Sequence, residues 1–134
     1  MENVSGLNKV YGVLHCGVSP YGPCNEKTGR GGEKECPGST CQKNFHVYSI
    51  EVDRNASPEK LTWSVDGVVY NMVTETDIGA ATWKSAVQHG HFLLFNVAIG
   101  GAFPNGNFGG PTPNARTVSG SPLLADWVAV YNSV

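Results

Sequence analysis

The sequence predicts an all-β domain, a β-sandwich or jelly roll. Three observations predict it. Apolar and polar residues alternate with period two in several short runs, whereas no window carries an i, i+3, i+4, i+7 stripe beyond two turns. Gly 17 and Pro 8 stand against 15% charged residues, a loop-rich and strand-rich balance. An Asp-Gly pair sits between two alternating runs at residues 60–73. The 134 residues amount to a single domain, 1–134. The formal charge of -2 offers no basic field for nucleic acid or an anionic membrane. No partner of either kind is expected.

The longest apolar run is His91-Phe92-Leu93-Leu94-Phe95-Asn96-Val97-Ala98-Ile99-Gly100-Gly101. It is too short for a membrane helix, which takes about 20 apolar residues. It reads as a strand buried on both faces. Alternation puts Leu93, Phe95, Val97 and Ile99 on one face and Phe92, Leu94, Asn96 and Ala98 on the other. Asn96 interrupts the pattern with an amide that needs hydrogen-bond partners.

Taken in order, Val10–Cys16 is a short strand, and residues 17–44 form a long loop holding the remaining cysteines. Phe45–Val52 is a strand with His46, Tyr48, Ile50 and Val52 on one face. The Asp66-Gly67 turn then sets a hairpin register in which Val65 faces Val68, Trp63 faces Tyr70 and Leu61 faces Met72. Ala80–Ala86 suits one or two helical turns. Residues 104–120 are a Gly-, Asn- and Pro-rich loop, and Leu123–Tyr131 is a closing strand. Trp63 and Trp127 are assigned to packing.

Cys16, Cys24, Cys36 and Cys41 are an even set in Gly- and Pro-rich sequence. That favours two disulfides and an oxidising compartment over free thiols or zinc, because the spacing lacks paired Cys-x-x-Cys. Three pairings exist. Closing the shortest loops favours Cys16–Cys24 with Cys36–Cys41. Asn3-Val4-Ser5 and Asn55-Ala56-Ser57 match a glycosylation sequon. The opening Met1-Glu2-Asn3-Val4 is not a signal peptide. A secreted chain is expected, with its leader missing or its start in mid-domain.

Phe45–Glu51, Trp63–Gly67, Phe95–Gly101 and Asp126–Tyr131 together resemble glycoside hydrolase family sixteen, in its laminarinase-like endo-β-1,3(4)-glucanase branch. The resemblance covers the whole chain but only the C-terminal half of the family's domain. It implies a concanavalin-like jelly roll truncated at its N-terminal side. It implies retaining hydrolysis of β-1,3(4)-glucans with no required cofactor, and secretion. Val52, Ser64 and Trp127 depart from residues common in relatives.

The family motif is Glu-x-Asp-x-x-Glu, and Met1-Glu2-Asn3-Val4 matches its tail. Glu2 then corresponds to the acid/base, and the nucleophile would fall before residue 1. Retention needs two carboxyl groups about 5–5.5 Å apart, so this chain alone is expected to be inactive. A non-catalytic β-glucan-binding module is the alternative. A third option is a fragment that needs a partner chain, because half a jelly roll leaves strand edges open to self-association. His15 and Asn96 match cleft positions in the family, the latter on the cleft floor. Trp83 suits a cleft rim or, equally, a core anchor. Asp126 matches a ligand of the structural calcium ion found in many relatives.

Overall fold

A computed structural model describes residues 1–132. It divides into two compact units, Met1–His91 and Phe92–Val134.

Among the described residues the first unit carries all the strands: β1 (Val10–Leu14), β2 (Arg30–Lys34), β3 (Tyr48–Asp53), β4 (Lys60–Val65) and β5 (Val68–Thr74). They form two antiparallel sheets, β1-β2 and β3-β4-β5. This is the predicted all-β class. Two short helices follow, α1 (Glu75–Ile78) and α2 (Ala80–Ala86), the second at the predicted position.

The Asp66-Gly67 turn forms as expected, with φ of 49° and 77° at its two residues. Val65 pairs with Val68, but the register then shifts at Trp63/Ser64, so that Trp63 faces Asn71 and Leu61 faces Val73. The expected Trp63–Tyr70 and Leu61–Met72 pairs do not form. Tyr70 is the extra residue of a bulge, and a one-residue slip exchanges faces. Val73 therefore enters the core and Met72 lies exposed.

β2 lies inside the stretch read as a loop. Gly31 and Gly32 have low strand propensity, which hid it from a reading by composition. Their smallness has a packing reason. A Cβ at Gly32 would lie 2.8 Å from the Tyr70 carbonyl oxygen, and one at Gly12 would lie 2.6 Å from the Tyr70 hydroxyl and 2.7 Å from the Trp63 ring. Glycine lets β1 and β2 lie directly on β4 and β5. Asn71 Nδ2 fastens the layers by donating to the Gly12 carbonyl at 3.0 Å.

The core of this unit comprises Cys16, Cys24, Leu61, Trp63, Val73, Ile78, Trp83 and Val87, with a second cluster of Val10, Cys36 and Val65. The disulfides are Cys16–Cys24 and Cys36–Cys41, each with a Cα separation of 5.4 Å. This is the pairing that short-loop closure favours. Each bridge buries sulfur in one of the two clusters. In contrast, β3 is an edge strand whose Tyr48, Ile50 and Val52 are exposed.

The second unit departs from the sequence reading. Phe92–Gly101 and Leu123–Tyr131 do not form strands, and Phe92, Phe95, Leu124 and Trp127 are exposed. Apolar sequence favours burial, but a strand exists only where a neighbouring backbone satisfies its amides and carbonyls. Neither segment has such a ladder among the described residues. Trp127, expected to pack, is mostly exposed and belongs to neither core cluster. The loop at 104–120 begins inside a helix, α3 (Ala102–Phe108). Pro104 fits because the first turn of a helix has no use for its N–H, and Gly109 ends the helix in the left-handed region at φ 84°.

Candidate active face

Glu2 is not a loose terminal residue. Its N–H donates to the Tyr11 carbonyl at 2.9 Å, and the Tyr11 N–H donates back at 2.8 Å. This reciprocal pair adds a short antiparallel bridge to the free edge of β1. Residues opposite each other in such a pair share a face. Glu2 therefore projects on the same side as Tyr11, and Tyr11 in turn pairs with Glu33 of β2.

Alternation along β1 assigns Val10, Gly12 and Leu14 to the side packed on the β3-β4-β5 sheet. Tyr11 and Val13 take the outer side, and His15 continues it just past the strand end. The predicted acid/base, bridged to the edge of β1, and the predicted cleft histidine, just past its end, thus share one face of the β1 layer. Among the described residues, the Glu2 carboxylate has neither a hydrogen-bond nor an ion-pair partner.

Asn3 holds this arrangement. Its amide donates to the Leu7 carbonyl at 2.7 Å and the Lys9 carbonyl at 2.6 Å, closing the turn between Glu2 and β1. Its Oδ1 accepts from Gln42 Nε2 at 3.4 Å. The nitrogen of this sequon is thereby engaged in the fold.

His15 Nδ1 lies 2.9 Å from Glu26 Oε2, and Glu26 Oε1 accepts the Cys16 N–H at 2.8 Å. The hydrogen bond from His15, with help from Cys16, holds the Glu26 carboxyl below its ordinary range. A carboxylate only accepts, so the contact places the imidazole proton on Nδ1. Nε2 is left on an exposed ring, free to hydrogen-bond with a hydroxyl. Glu26 escapes a reading of motifs. The signal that finds it is the disulfide: Cys16–Cys24 brings the residue beside Cys16 against the stretch just past Cys24.

Of the two options for Trp83, the structure gives the core anchor and not the rim. Trp83 is fully buried, and its indole N–H donates to Glu59 Oε2 at 2.7 Å. An amphipathic helix of Ala, Thr and Ser has one large side chain to bury, and Trp83 is that one. Gln88 donates to the other Glu59 oxygen at 2.7 Å, and the two donors, Gln88 first, hold that carboxyl below its usual range. Asn96 lies in the second unit, exposed and outside any strand, so it forms no floor there. Asp126 is exposed too, and no group of three or more His, Cys, Asp or Glu is placed to hold a metal among the described residues.

A second carboxylate–imidazole pair was not anticipated. Asp66, read only as a turn residue, accepts from His46 Nδ1 at 2.7 Å and from the Val47 N–H at 2.8 Å. His46 foremost, with Val47, keeps the Asp66 carboxyl below its ordinary range. The His46 side chain is only 2% exposed, so the pair fastens the hairpin turn to β3 and offers nothing to a ligand. A shallow depression lined by Ser57, Pro58, Glu75, Thr76, Gly79 and Ala80 contains none of the predicted residues.

No family model and no curated protein matches the chain. Among solved structures it is similar to an endo-1,3-beta-glucanase from Streptomyces sioyaensis, at 52% identity and a TM-score of 0.83. The match covers 88% of this chain and 42% of that one, so the chain spans less than half of that enzyme's length.

Proposed function

We infer function from one premise: the chain belongs to the laminarinase-like branch of glycoside hydrolase family sixteen. The face of β1 is its share of a β-1,3(4)-glucan site. Glu2 is the acid/base, which protonates the leaving glycosidic oxygen and then activates water. His15 holds a sugar hydroxyl through Nε2. The observation that carries this reading is the Glu2–Tyr11 backbone pair, which turns Glu2 to the side of His15. The two disulfides agree with a secreted enzyme. No helix among the described residues is long and apolar enough to cross a membrane.

Retaining hydrolysis needs a nucleophile about 5–5.5 Å from the acid/base. Glu2 is the one carboxyl group in this chain to which the family resemblance gives a catalytic role. The 134-residue chain by itself therefore binds glucan without cleaving it. Affinity electrophoresis through laminarin tests the binding, and a reducing-sugar assay tests the turnover. Retardation without release of sugar supports the proposal. Unretarded migration overturns the binding, and release abolished by Glu2→Gln overturns the inactivity.

The exposed apolar face and free edge of β3 support self-association as a second property of the isolated chain. Light scattering that shows a monomer at every concentration would contradict it.

A further inference from the structure

His89 and His91 lie just beyond α2, outside every contact that serves the β1 face. Their rings stand 4.2 Å apart, centroid to centroid, at an angle of 37°. Each ring commits one nitrogen to a backbone carbonyl. His89 Nδ1 lies 2.8 Å from Gly90 O, and His91 Nε2 lies 3.2 Å from Val87 O. A carbonyl only accepts, so each neutral ring carries its proton on the nitrogen named. The lone pairs fall on His89 Nε2 and His91 Nδ1. No protein group engages either atom among the described residues, and both residues are exposed.

We propose that His89 and His91 form a two-imidazole chelate for a divalent first-row transition-metal ion, Cu2+ foremost, with water completing the shell. Imidazoles that ligate metals generally donate their other N–H to a carbonyl or carboxylate, which fixes tautomer and orientation before the ion arrives. Both rings already have this support. Ring centroids 4.2 Å apart bring the two imidazoles within reach of one ion.

The chemistry selects the ion. Imidazole nitrogen suits copper, nickel and zinc, and the divalent series places Cu2+ highest. Arg54 NH2 donates to the same Val87 carbonyl at 3.3 Å, which anchors the platform and adds a positive charge near it. Ca2+ and Mg2+ take oxygen ligands, and two imidazole nitrogens offer them none. No third His, Cys, Asp or Glu completes a closed site among the described residues, so the ion stays open to water and exchange.

Copper sulfate titrated into the 134-residue chain, followed by electron paramagnetic resonance in a non-coordinating buffer, tests this. A tight Cu2+ site with two nitrogen ligands is expected. His89→Ala and His91→Ala should each weaken it by about tenfold or more and remove one nitrogen from the spectrum. His15→Ala should change neither. Both altered positions are exposed, and circular dichroism of each variant verifies the fold. A two-nitrogen site that survives in the His89→Ala/His91→Ala double variant overturns the proposal, as does a wild-type spectrum without two nitrogens.

Discussion

The indole nitrogen of Trp83 donates to Glu59 while the rings fill the core beside Trp63 and Ile78. Two costs follow from removing this side chain. Trp83→Ala should destabilise the chain by about 3–5 kcal/mol through the cavity. Trp83→Phe, which keeps most of the volume, should cost about 1–3 kcal/mol through the lost donor. Urea denaturation measures both. Retention of the Phe variant in a laminarin gel should match wild type, because the residue has no exposed surface to stack on a sugar. Asp66 gives a pH signature. Its folded carboxyl lies below the ordinary range because of His46 and Val47. The contribution is therefore present above the unfolded carboxylate pKa and is lost as pH falls through the folded one. Asp66→Asn keeps a residue that tolerates the positive φ of the turn. Thermal melts should show wild type more stable than this variant near neutrality, with the difference closing in strong acid. A gap that stays constant with pH would contradict the assignment.

At the scale of elements, the packing of β1 and β2 on the larger sheet depends on Gly12 and Gly32. Gly12→Ala drives a methyl into the Tyr70 hydroxyl and the Trp63 ring, and Gly32→Ala drives one into a Tyr70 carbonyl. Each should cost about 1–3 kcal/mol by denaturant titration. The Gly32 variant has less room to relax, because its neighbour is backbone. The Tyr70 hydroxyl already sits buried with no hydrogen-bond partner among the described residues, and burial pushes it up to about 12. These details mark the limit of what is legible in a sequence. The Asp66-Gly67 turn was legible because its requirement for positive φ is local. The bulge at Tyr70 was not, because it answers to the layer lying against it. β2 was hidden because glycine is chosen there for thinness, against its own strand preference. Phe92–Gly101 misled in the opposite sense: an apolar run states a preference for burial but does not supply the ladder.

For the whole molecule, the two disulfides tie the loops of the first unit to its two cores. Reduction should cost about 2–3 kcal/mol per bridge by loop-closure entropy, read as a drop in melting temperature under thiol. Cys16–Cys24 matters beyond stability, because it brings Glu26 to His15. Its loss should weaken glucan retention, whereas Cys36→Ser/Cys41→Ser should affect retention less. Of the site, the family resemblance proposes Glu2 and His15, and their common face follows from the Tyr11 pairing. Asn96 and Asp126 were named by their match to family positions, and both lie exposed and outside any strand. The central claim is that the outer face of β1 receives a β-1,3-glucan. Backbone amide shifts of the isotope-labelled chain, titrated with a laminari-oligosaccharide, test it most directly. The account predicts perturbations centred on Glu2, Tyr11, Val13 and His15. Shifts that cluster instead around Ser57, Thr76 and Gly79, or no shifts at saturating sugar, would contradict it.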